Sequence, residues 1–216
     1  MRAILLFLFL ILDISCQLDG IDVSANQKDI DWKAVAKSKK FAIIRAGYGQ
    51  RTLDDYWEKN YKGAKAAGVK VGAYWFSLAD SVDAAKQEAK GFLKALQGKQ
   101  LEWPVYYHIK YQTIFDKNLQ DDIAATFCNI LESHKYYCGI FSSAYHLTHK
   151  FKIYTSKRYT TWASHYGDSK PSFPSDYYIW RKGYGKADGV KGGCYIDIGG
   201  RDFEPIIKRG KHNGFK

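Results

Sequence analysis

Short apolar segments alternate with longer amphipathic segments along the first two thirds of the chain. The apolar segments are rich in β-branched and aromatic residues, which is typical of strands, and the amphipathic ones repeat apolar residues at helical spacing. The predicted strands are residues 20–24, 41–47, 71–77, 105–111 and 138–143, and the predicted helices are residues 30–38, 54–68, 82–96 and 121–134. In one helix, Ala85, Ala89, Phe92 and Leu96 fall on a single stripe, and Gly68 ends another.

After residue 143 the pattern changes, because three strand-like segments follow with little helix between them. These segments are residues 159–167, 176–184 and 194–200. Alternation of strand and helix implies a parallel sheet, and this many units indicates closure into a barrel. The sequence therefore predicts an irregular, single-domain β/α barrel rather than a regular eight-fold one.

The charge of the chain favours some partners over others. Lys and Arg total 33 against 22 Asp and Glu, which gives a net charge of +11. Such a charge attracts anionic surfaces such as cell walls and glycans, although general solubility explains it equally well. The basic residues are scattered and form no nucleic-acid motif, so no nucleic-acid partner is expected. We expect a monomer without a cofactor.

The first 16 residues form a predicted signal peptide. Arg2 precedes an apolar run from Ala3 to Leu12, which is too short to span a bilayer. Residues 17–216 would then form the mature domain, without a transmembrane segment, secreted or held in the lumen of the secretory or lysosomal pathway.

Three cysteines remain after the leader. An oxidising compartment makes a bridge between Cys128 and Cys138 plausible, with Cys194 unpaired. The spacing matches no zinc motif. His146 and His149 lie three residues apart, but a solvated polar face explains them better than a metal site, so no metal site is predicted.

Four segments in order carry a resemblance to a known family. They are GIDVSANQ followed by IDW, then FAIIRAGYG, then GAKAAGVKVGAYWFS, and finally GVKGGCYIDIG. This succession resembles glycoside hydrolase family 25, the Chalaropsis-type lysozymes, from Asp19 to about Phe203. The resemblance implies a groove for peptidoglycan, lined by carboxylates at the strand ends.

The resemblance also places the catalytic positions. The first-strand Asp of the family matches Asp22, and the last-strand Asp matches Asp197. The fourth strand of the family carries an Asp-x-Glu pair whose Glu is the general acid, and this pair falls on His108 and Lys110. Arg181 stands where the family commonly has a glutamine.

Candidate sugar-binding aromatic residues lie near these positions. Because alternate residues of a strand face the same side, Tyr106 shares its face with His108 and Lys110. The resemblance adds aromatic residues on other strands. The full candidate set for substrate binding is Tyr74, Trp75, Tyr106, Trp162 and Trp180, with core packing as the alternative for each.

The replaced pair removes the groups that glycoside hydrolysis requires, namely a proton donor and nearby negative charge. Asp22 and Asp197 would hold Lys110 charged. His108 titrates nearer neutrality, but it lies about 6–7 Å along the strand from the position of the acid. The two remaining carboxylates are expected either to pair with Lys110 or to contact a ligand.

The sequence therefore predicts a secreted, lysozyme-like protein that has lost hydrolysis and is retained as a binding protein for peptidoglycan or a related polysaccharide. One alternative is an active muramidase that works through a rearranged site. Another is a protein-interaction scaffold.

Overall fold

A closed barrel of eight strands forms the centre of the molecule. The computed structural model describes residues 17–110, 116–152, 157–171 and 178–216, so the predicted leader and Tyr111 lie outside the described residues. The strands are β1 (Leu18–Val23), β2 (Phe41–Tyr48), β3 (Thr52–Leu53), β4 (Lys70–Phe76), β5 (Val105–His108), β6 (Cys138–Ser143), β7 (Thr160–Ser164), β8 (Ile179–Gly185) and β9 (Cys194–Gly199).

The strand order gives the barrel its irregularity. The order is β1-β9-β8-β7-β6-β5-β4-β2, and parallel pairing of β1 with β2 closes the ring. Strand β9 runs antiparallel to both of its neighbours, whereas the other barrel pairs are parallel. The predicted irregular, single-domain barrel is confirmed. Strand β3, which was not predicted, forms a hairpin on β2 outside the ring.

Helices cover the outside of the barrel. They are α1 (Trp32–Val35), α2 (Trp57–Ala66), α3 (Val82–Leu96), α4 (Lys117–Ser133), α5 (Ala144–His149) and α6 (Glu204–Arg209), with a 3-10 turn at Ala25–Gln27. Ser81 caps α3, and the predicted apolar stripe of this helix is fully buried. Gly68 follows α2 at φ 76°, a conformation that glycine adopts without steric cost.

Two apolar layers pack on the two faces of the strands. The outer layer joins strands to helices, and in it Tyr107 stacks on Phe127 at 3.7 Å. The inner layer fills the barrel with large rings, including Tyr106 and Trp162. Tyr106 fits there because Gly139 of β6 lacks a side chain, since a Cβ at this position would lie 2.6 Å from the tyrosine ring.

The two ends of the barrel differ. The parallel strands finish at one end, called the open end, where a cleft lies. At the other, called the closed end, Phe41 stacks on Trp103 at 3.7 Å, and Phe203 at the start of α6 packs edge-on against Trp103 at 5.3 Å. The N-termini of the parallel strands are thus sealed by apolar rings.

Three cysteines of the described chain are free thiols. Cys128 and Cys138 are buried with their sulfur atoms 3.2 Å apart, and the structure does not join them in the bridge that the sequence made plausible. Cys194 is also a buried free thiol. None of the helices in the described part of the chain has the length and apolar character needed to cross a bilayer.

Candidate functional site

The cleft at the open end has a volume of about 530 Å³. Its lining combines charged, hydroxyl and aromatic side chains from most of the strands. The charged and titratable members are Asp22, Arg45, His108, Lys110, Arg181, Tyr74, Tyr166 and Tyr195. A cleft of this size accommodates a small ligand or a few units of a polymer.

Asp22 of β1 is held by Arg181 of β8 in a two-pronged ion pair. The Nε and Nη2 atoms of the arginine donate to the two carboxylate oxygens at 2.7 and 2.6 Å. The residues are only 2% and 5% exposed. Burial raises the pKa of Asp22, and the neighbouring guanidinium opposes this rise. Of the two alternatives for Asp22, the ion pair with Lys110 is not found, because Arg181 fills that role.

Aromatic rings surround the Arg181 guanidinium. Its central carbon lies 4.1 Å from the ring centre of Phe141, 4.2 Å from that of Tyr195 and 4.8 Å from that of Trp162. Ring faces attract a cation, and these contacts compensate part of the hydration that the guanidinium loses on burial. The arginine is thus a fixed part of the cleft wall.

Asp197 of β9 lies behind this pair and is fully buried. Its Oδ1 atom accepts a hydrogen bond from Trp162 Nε1 at 2.8 Å, and Asp197 is not part of the cleft lining. Burial and the nearby charge of Asp22 raise its pKa well above the usual carboxyl range. Asp197 is therefore more readily protonated than an ordinary carboxyl group, and its burial keeps it away from a ligand in the cleft.

His108 ends β5 among aromatic rings. Its ring centre lies 4.3 Å from that of Phe141 and 4.9 Å from that of Phe76. Burial and the charges of Arg181, Lys110 and Arg45 lower its pKa well below the usual histidine value. At neutral pH His108 is therefore uncharged and has no acidic proton to supply as an imidazolium.

Lys110 lies beyond the end of β5, because the strand stops at His108 rather than at residue 111 as predicted. Its side chain is exposed and lines the cleft. The two positions that the sequence resemblance predicted for a catalytic pair therefore hold a neutral histidine ring and an exposed lysine side chain.

A buried chain of hydrogen bonds fixes the backbone between these two residues. Ser142 Oγ lies 2.6 Å from the Ile109 carbonyl oxygen, which can only accept, so the serine must donate to it. His146 Nδ1, 2.7 Å from the same hydroxyl, must then donate to it, and its Nε2 accepts from Gln120 at 2.7 Å. A serine hydroxyl that accepts a hydrogen bond from a histidine N–H is not activated as a nucleophile, because that histidine is not placed to take the hydroxyl proton.

This network also accounts for His146, since both of its ring nitrogens are engaged. His149 is exposed, and its Nδ1 lies 2.9 Å from the Tyr145 carbonyl oxygen. Within the described ranges, no group of three or more His, Cys, Asp or Glu side chains is placed to hold a metal ion.

Of the predicted sugar-binding aromatic residues, only Tyr74 lines the cleft. Trp75 faces the outer layer, where it contacts Phe92, because neighbouring residues of a strand point to opposite faces. Tyr106 and Trp162 are fully buried inside the barrel. Trp180 is 4% exposed, and its indole nitrogen donates to the His165 carbonyl. As placed, these four rings offer no surface for stacking a sugar.

The cleft lining includes four aromatic residues that the sequence reasoning missed, namely Phe76, Phe141 and a pair of tyrosines. Tyr166 and Tyr195 face each other with ring centres 6.3 Å apart and planes 15° from parallel, and Tyr166 is 62% exposed. Tyr195 lies two residues before Asp197 on β9, so alternation along the strand placed it on the same inner face. That signal could have identified it. Alternation from Trp162 within the predicted strand at residues 159–167 also placed Tyr166 on the inner face, although β7 itself ends at Ser164.

Comparison with known proteins agrees with this architecture. The family description "Glycosyl hydrolases family 25" matches residues 21–184. The Escherichia coli O157:H7 protein YegX is 28% identical over 195 residues, which cover 85% of this chain and 70% of YegX. The autolytic lysozyme of Clostridium acetobutylicum is 26% identical over 187 residues, covering 83% of this chain and 55% of the lysozyme.

Solved structures show the same fold. The CTP1L endolysin superimposes with a TM-score of 0.75 at 26% identity, covering 90% of this chain and 69% of the endolysin. A family 25 glycosyl hydrolase from Bacillus anthracis has a TM-score of 0.74 at 21% identity, covering 88% and 92% of the two chains. With the family match over most of its length, the chain belongs to glycosyl hydrolase family 25.

Proposed function

We propose that this family member binds a glycan in its cleft without hydrolysing it. One observation carries the proposal: Asp22 is the only carboxylate among the described residues that line the cleft, and Arg181 occupies both of its oxygens. Glycoside hydrolysis needs a carboxylic acid beside the leaving oxygen and a second carboxylate near the anomeric carbon. The cleft lining supplies neither in a free form.

The other acidic residues considered from the sequence are engaged elsewhere. Glu102 pairs with Lys65 and accepts from the Val71 amide at the closed end. Asp116 caps α4 through the Asn118 amide. Asp80, like these two, is not part of the cleft lining. Loss of an acid removes about 10²- to 10⁴-fold in rate, and a fixed guanidinium beside Asp22 opposes the positive charge that develops on the sugar.

Glycan binding is supported by the lining that remains. Exposed tyrosine rings provide flat apolar faces of the kind on which sugar rings stack, and serine, asparagine and glutamine side chains provide hydrogen-bonding groups. Ser24, Asn26, Gln27, Ser143 and Ser164 all line the cleft. Among similar proteins, the modular autolysin LytC of Streptococcus pneumoniae has been solved with a synthetic peptidoglycan ligand, at 19% identity to this chain.

The proposed setting is extracellular, and it is supported by the leader-like pattern of residues 1–16 and the net charge of +11. We propose a monomer that is attracted to anionic surfaces. Amino-terminal sequencing of the protein recovered from culture medium tests the leader, and a start near residue 17 is expected.

The test of function combines a lysis assay with a pull-down. Purified protein is incubated with peptidoglycan, and released reducing ends are measured beside an active family 25 lysozyme. We expect no release, together with retention on insoluble peptidoglycan or chitin that Tyr166→Ala reduces. Release at a rate like that of the active lysozyme, abolished by Asp22→Asn, would refute the loss of hydrolysis.

A further inference from the structure

The charges that line the cleft are unbalanced. Among the described residues, three permanent cations line it, Arg45, Lys110 and Arg181, against the single carboxylate of Asp22. Asp22 pairs with Arg181, and Arg45 pairs with Asp54, a carboxylate that does not line the cleft. Of the three cations, Lys110 alone has no ion pair among the described residues.

Arg45 is positioned by a carboxylate that does not line the cleft. Its Nε donates to Asp54 Oδ2 at 2.7 Å, and the Asp54 side chain is completely buried. The same carboxylate accepts from the backbone amides of Ala25 and Tyr56 at 3.0 and 2.9 Å. The arginine side chain keeps 20% of its surface exposed. Asp54 thus orients the guanidinium from behind and leaves its far side toward the cleft.

Lys110 differs from Arg45, because no described carboxylate pairs with it. No carboxylate of the described residues lies within 4.0 Å of its Nζ atom, and its side chain is exposed. Its backbone, in contrast, is anchored through Ile109, whose carbonyl is held by Ser142 and whose amide donates to the Phe141 carbonyl at 2.9 Å. A free ammonium on an anchored backbone suits recognition of an anion.

The three cations also converge on one place. Arg181 of β8, Lys110 of the segment after β5 and Arg45 of β2 line the same cleft as His108, and their charges contribute to lowering the pKa of this histidine. A negative group in the cleft beside His108 would be attracted by all three cations, and the partly closed surroundings strengthen that attraction relative to bulk water.

We propose that the cleft selects acidic glycans, in which a carboxylate or sulfate group on the sugar is bound by Lys110 and Arg45. This proposal rests on the proposed function, because it names the class of glycan for the same cleft. Lys110 is the discriminating residue, and Arg45 supports it. The tyrosine pair contacts the sugar rings whatever their charge.

The test compares three hexasaccharides by calorimetry at low salt: neutral chitohexaose, carboxylate-bearing hyaluronan and sulfate-bearing chondroitin. We expect at least one of the two acidic ligands to bind roughly tenfold or more tightly than chitohexaose, and that preference to weaken at about 0.5 M salt, where charges are screened within a few ångströms. The two acidic ligands distinguish carboxylate from sulfate as the recognised group.

Matched lysine variants locate the recognition. Lys110→Gln should weaken binding of the acidic ligand about tenfold, as expected for losing one charge-assisted hydrogen bond. Its affinity for chitohexaose should stay within about twofold of the wild-type value. Lys62→Gln removes an equal charge from the exposed side of α2 and should change neither. Arg45 is unsuitable as the primary variant, because its loss would leave buried Asp54 without its ion-pair partner.

The outcomes separate this proposal from the proposed function. Binding of chitohexaose as tight as that of the acidic ligands would overturn acidic selectivity and leave glycan binding intact. Equal losses from Lys110→Gln and Lys62→Gln would also overturn it, because the general charge of the protein would then be responsible. Failure of all three ligands and of insoluble peptidoglycan to bind would refute both.

Discussion

Two buried polar features, one at each end of the barrel, satisfy their polar groups in different ways. At the closed end, Asn213 is fully buried and binds only backbone: its side chain accepts from the Tyr137 amide at 2.7 Å and donates to the Trp103 carbonyl at 2.9 Å. At the open end, Asp22 and Arg181 bind each other. Asn213 satisfies the hydrogen-bonding groups of the backbone, whereas the Asp22–Arg181 pair places two opposite charges beside a cleft.

This difference between Asn213 and the Asp22–Arg181 pair bears on how each contributes to stability. A buried side chain that satisfies backbone groups supports the fold directly. A buried ion pair contributes little net stability, because the loss of hydration offsets the attraction between the charges. The charges at the open end therefore call for an explanation in the cleft, whereas Asn213 needs none beyond the fold.

The largest expected effect comes from breaking the ion pair on one side. Arg181→Met should reduce the free energy of unfolding by about 3–5 kcal/mol at pH 7, because it leaves the Asp22 charge buried without its partner. Urea denaturation followed by circular dichroism measures this loss. The loss should shrink as the pH falls, because Asp22 can then become neutral by protonation.

The double variant Asp22→Asn with Arg181→Met is the control. It removes both charges, so it should recover much of the loss. If the single variant were as stable as the wild type at pH 7, the pair would not be buried as described, and the contrast between the two ends would fail.

The next effect tests the closed end. Asn213→Ala should lower the free energy of unfolding by about 2–4 kcal/mol, because it leaves two buried backbone groups without partners. Asn213 also has a φ of 53°, which asparagine tolerates better than alanine does. Asn213→Gly relieves the backbone strain but not the lost hydrogen bonds, so it should be about 1 kcal/mol less destabilising than alanine. Equal unfolding midpoints for the two variants would exclude the backbone contribution.

The sequence predicted the barrel because periodicity is a local property. Alternating apolar and amphipathic segments indicate strands and helices wherever they occur, and the family resemblance supported an irregular barrel. The prediction that Trp75 lines the groove was wrong, although the sequence contained the information to avoid it. Trp75 is next to Tyr74, and two neighbouring residues of a strand face opposite sides. The rule of alternation should have outweighed the resemblance there.

The ion pair could not be predicted in the same way. Asp22 and Arg181 lie 159 residues apart and on strands that are separated by β9, so no local pattern links them. The sequence left Lys110 as the expected partner, but strand β5 ends at His108 and Lys110 projects beyond it. Where a strand ends depends on tertiary packing, which periodicity does not report.

A smaller effect concerns pH. Burial and the charge of Lys150 lower the pKa of His146 from 6.5 to about 4. A histidine with a lowered pKa in the folded state stabilises the protein fully above pH 6.5, and this contribution is lost as the pH falls toward 4. At 1.36 kcal/mol for each pH unit, about 2–3 kcal/mol should be lost across that window.

Paired histidine variants isolate this contribution. His146→Gln should flatten the stability profile between pH 6.5 and 4, whereas His149→Gln, at an exposed position on the same helix, should leave it unchanged. Urea midpoints at a series of pH values provide the comparison. Parallel profiles for His146→Gln and the wild type would show that protonation of His146 does not destabilise the folded protein. That result would contradict the lowered pKa.

The smallest expected effect is recovery of catalysis at the open end. The double variant His108→Asp with Lys110→Glu restores the two carboxyl groups, yet Arg181 still neutralises Asp22 and lies beside the restored positions. We therefore expect no release of reducing ends above background from the double variant.

Adding Arg181→Gln frees Asp22 and should raise release about tenfold, equivalent to roughly 1.4 kcal/mol of barrier. This remains well below the ~10²- to 10⁴-fold that a well-placed acid contributes, because residue 110 lies beyond the regular strand. Full recovery by the double variant alone would show that Arg181 does not block Asp22, and the open end would then differ from an active site only at His108 and Lys110.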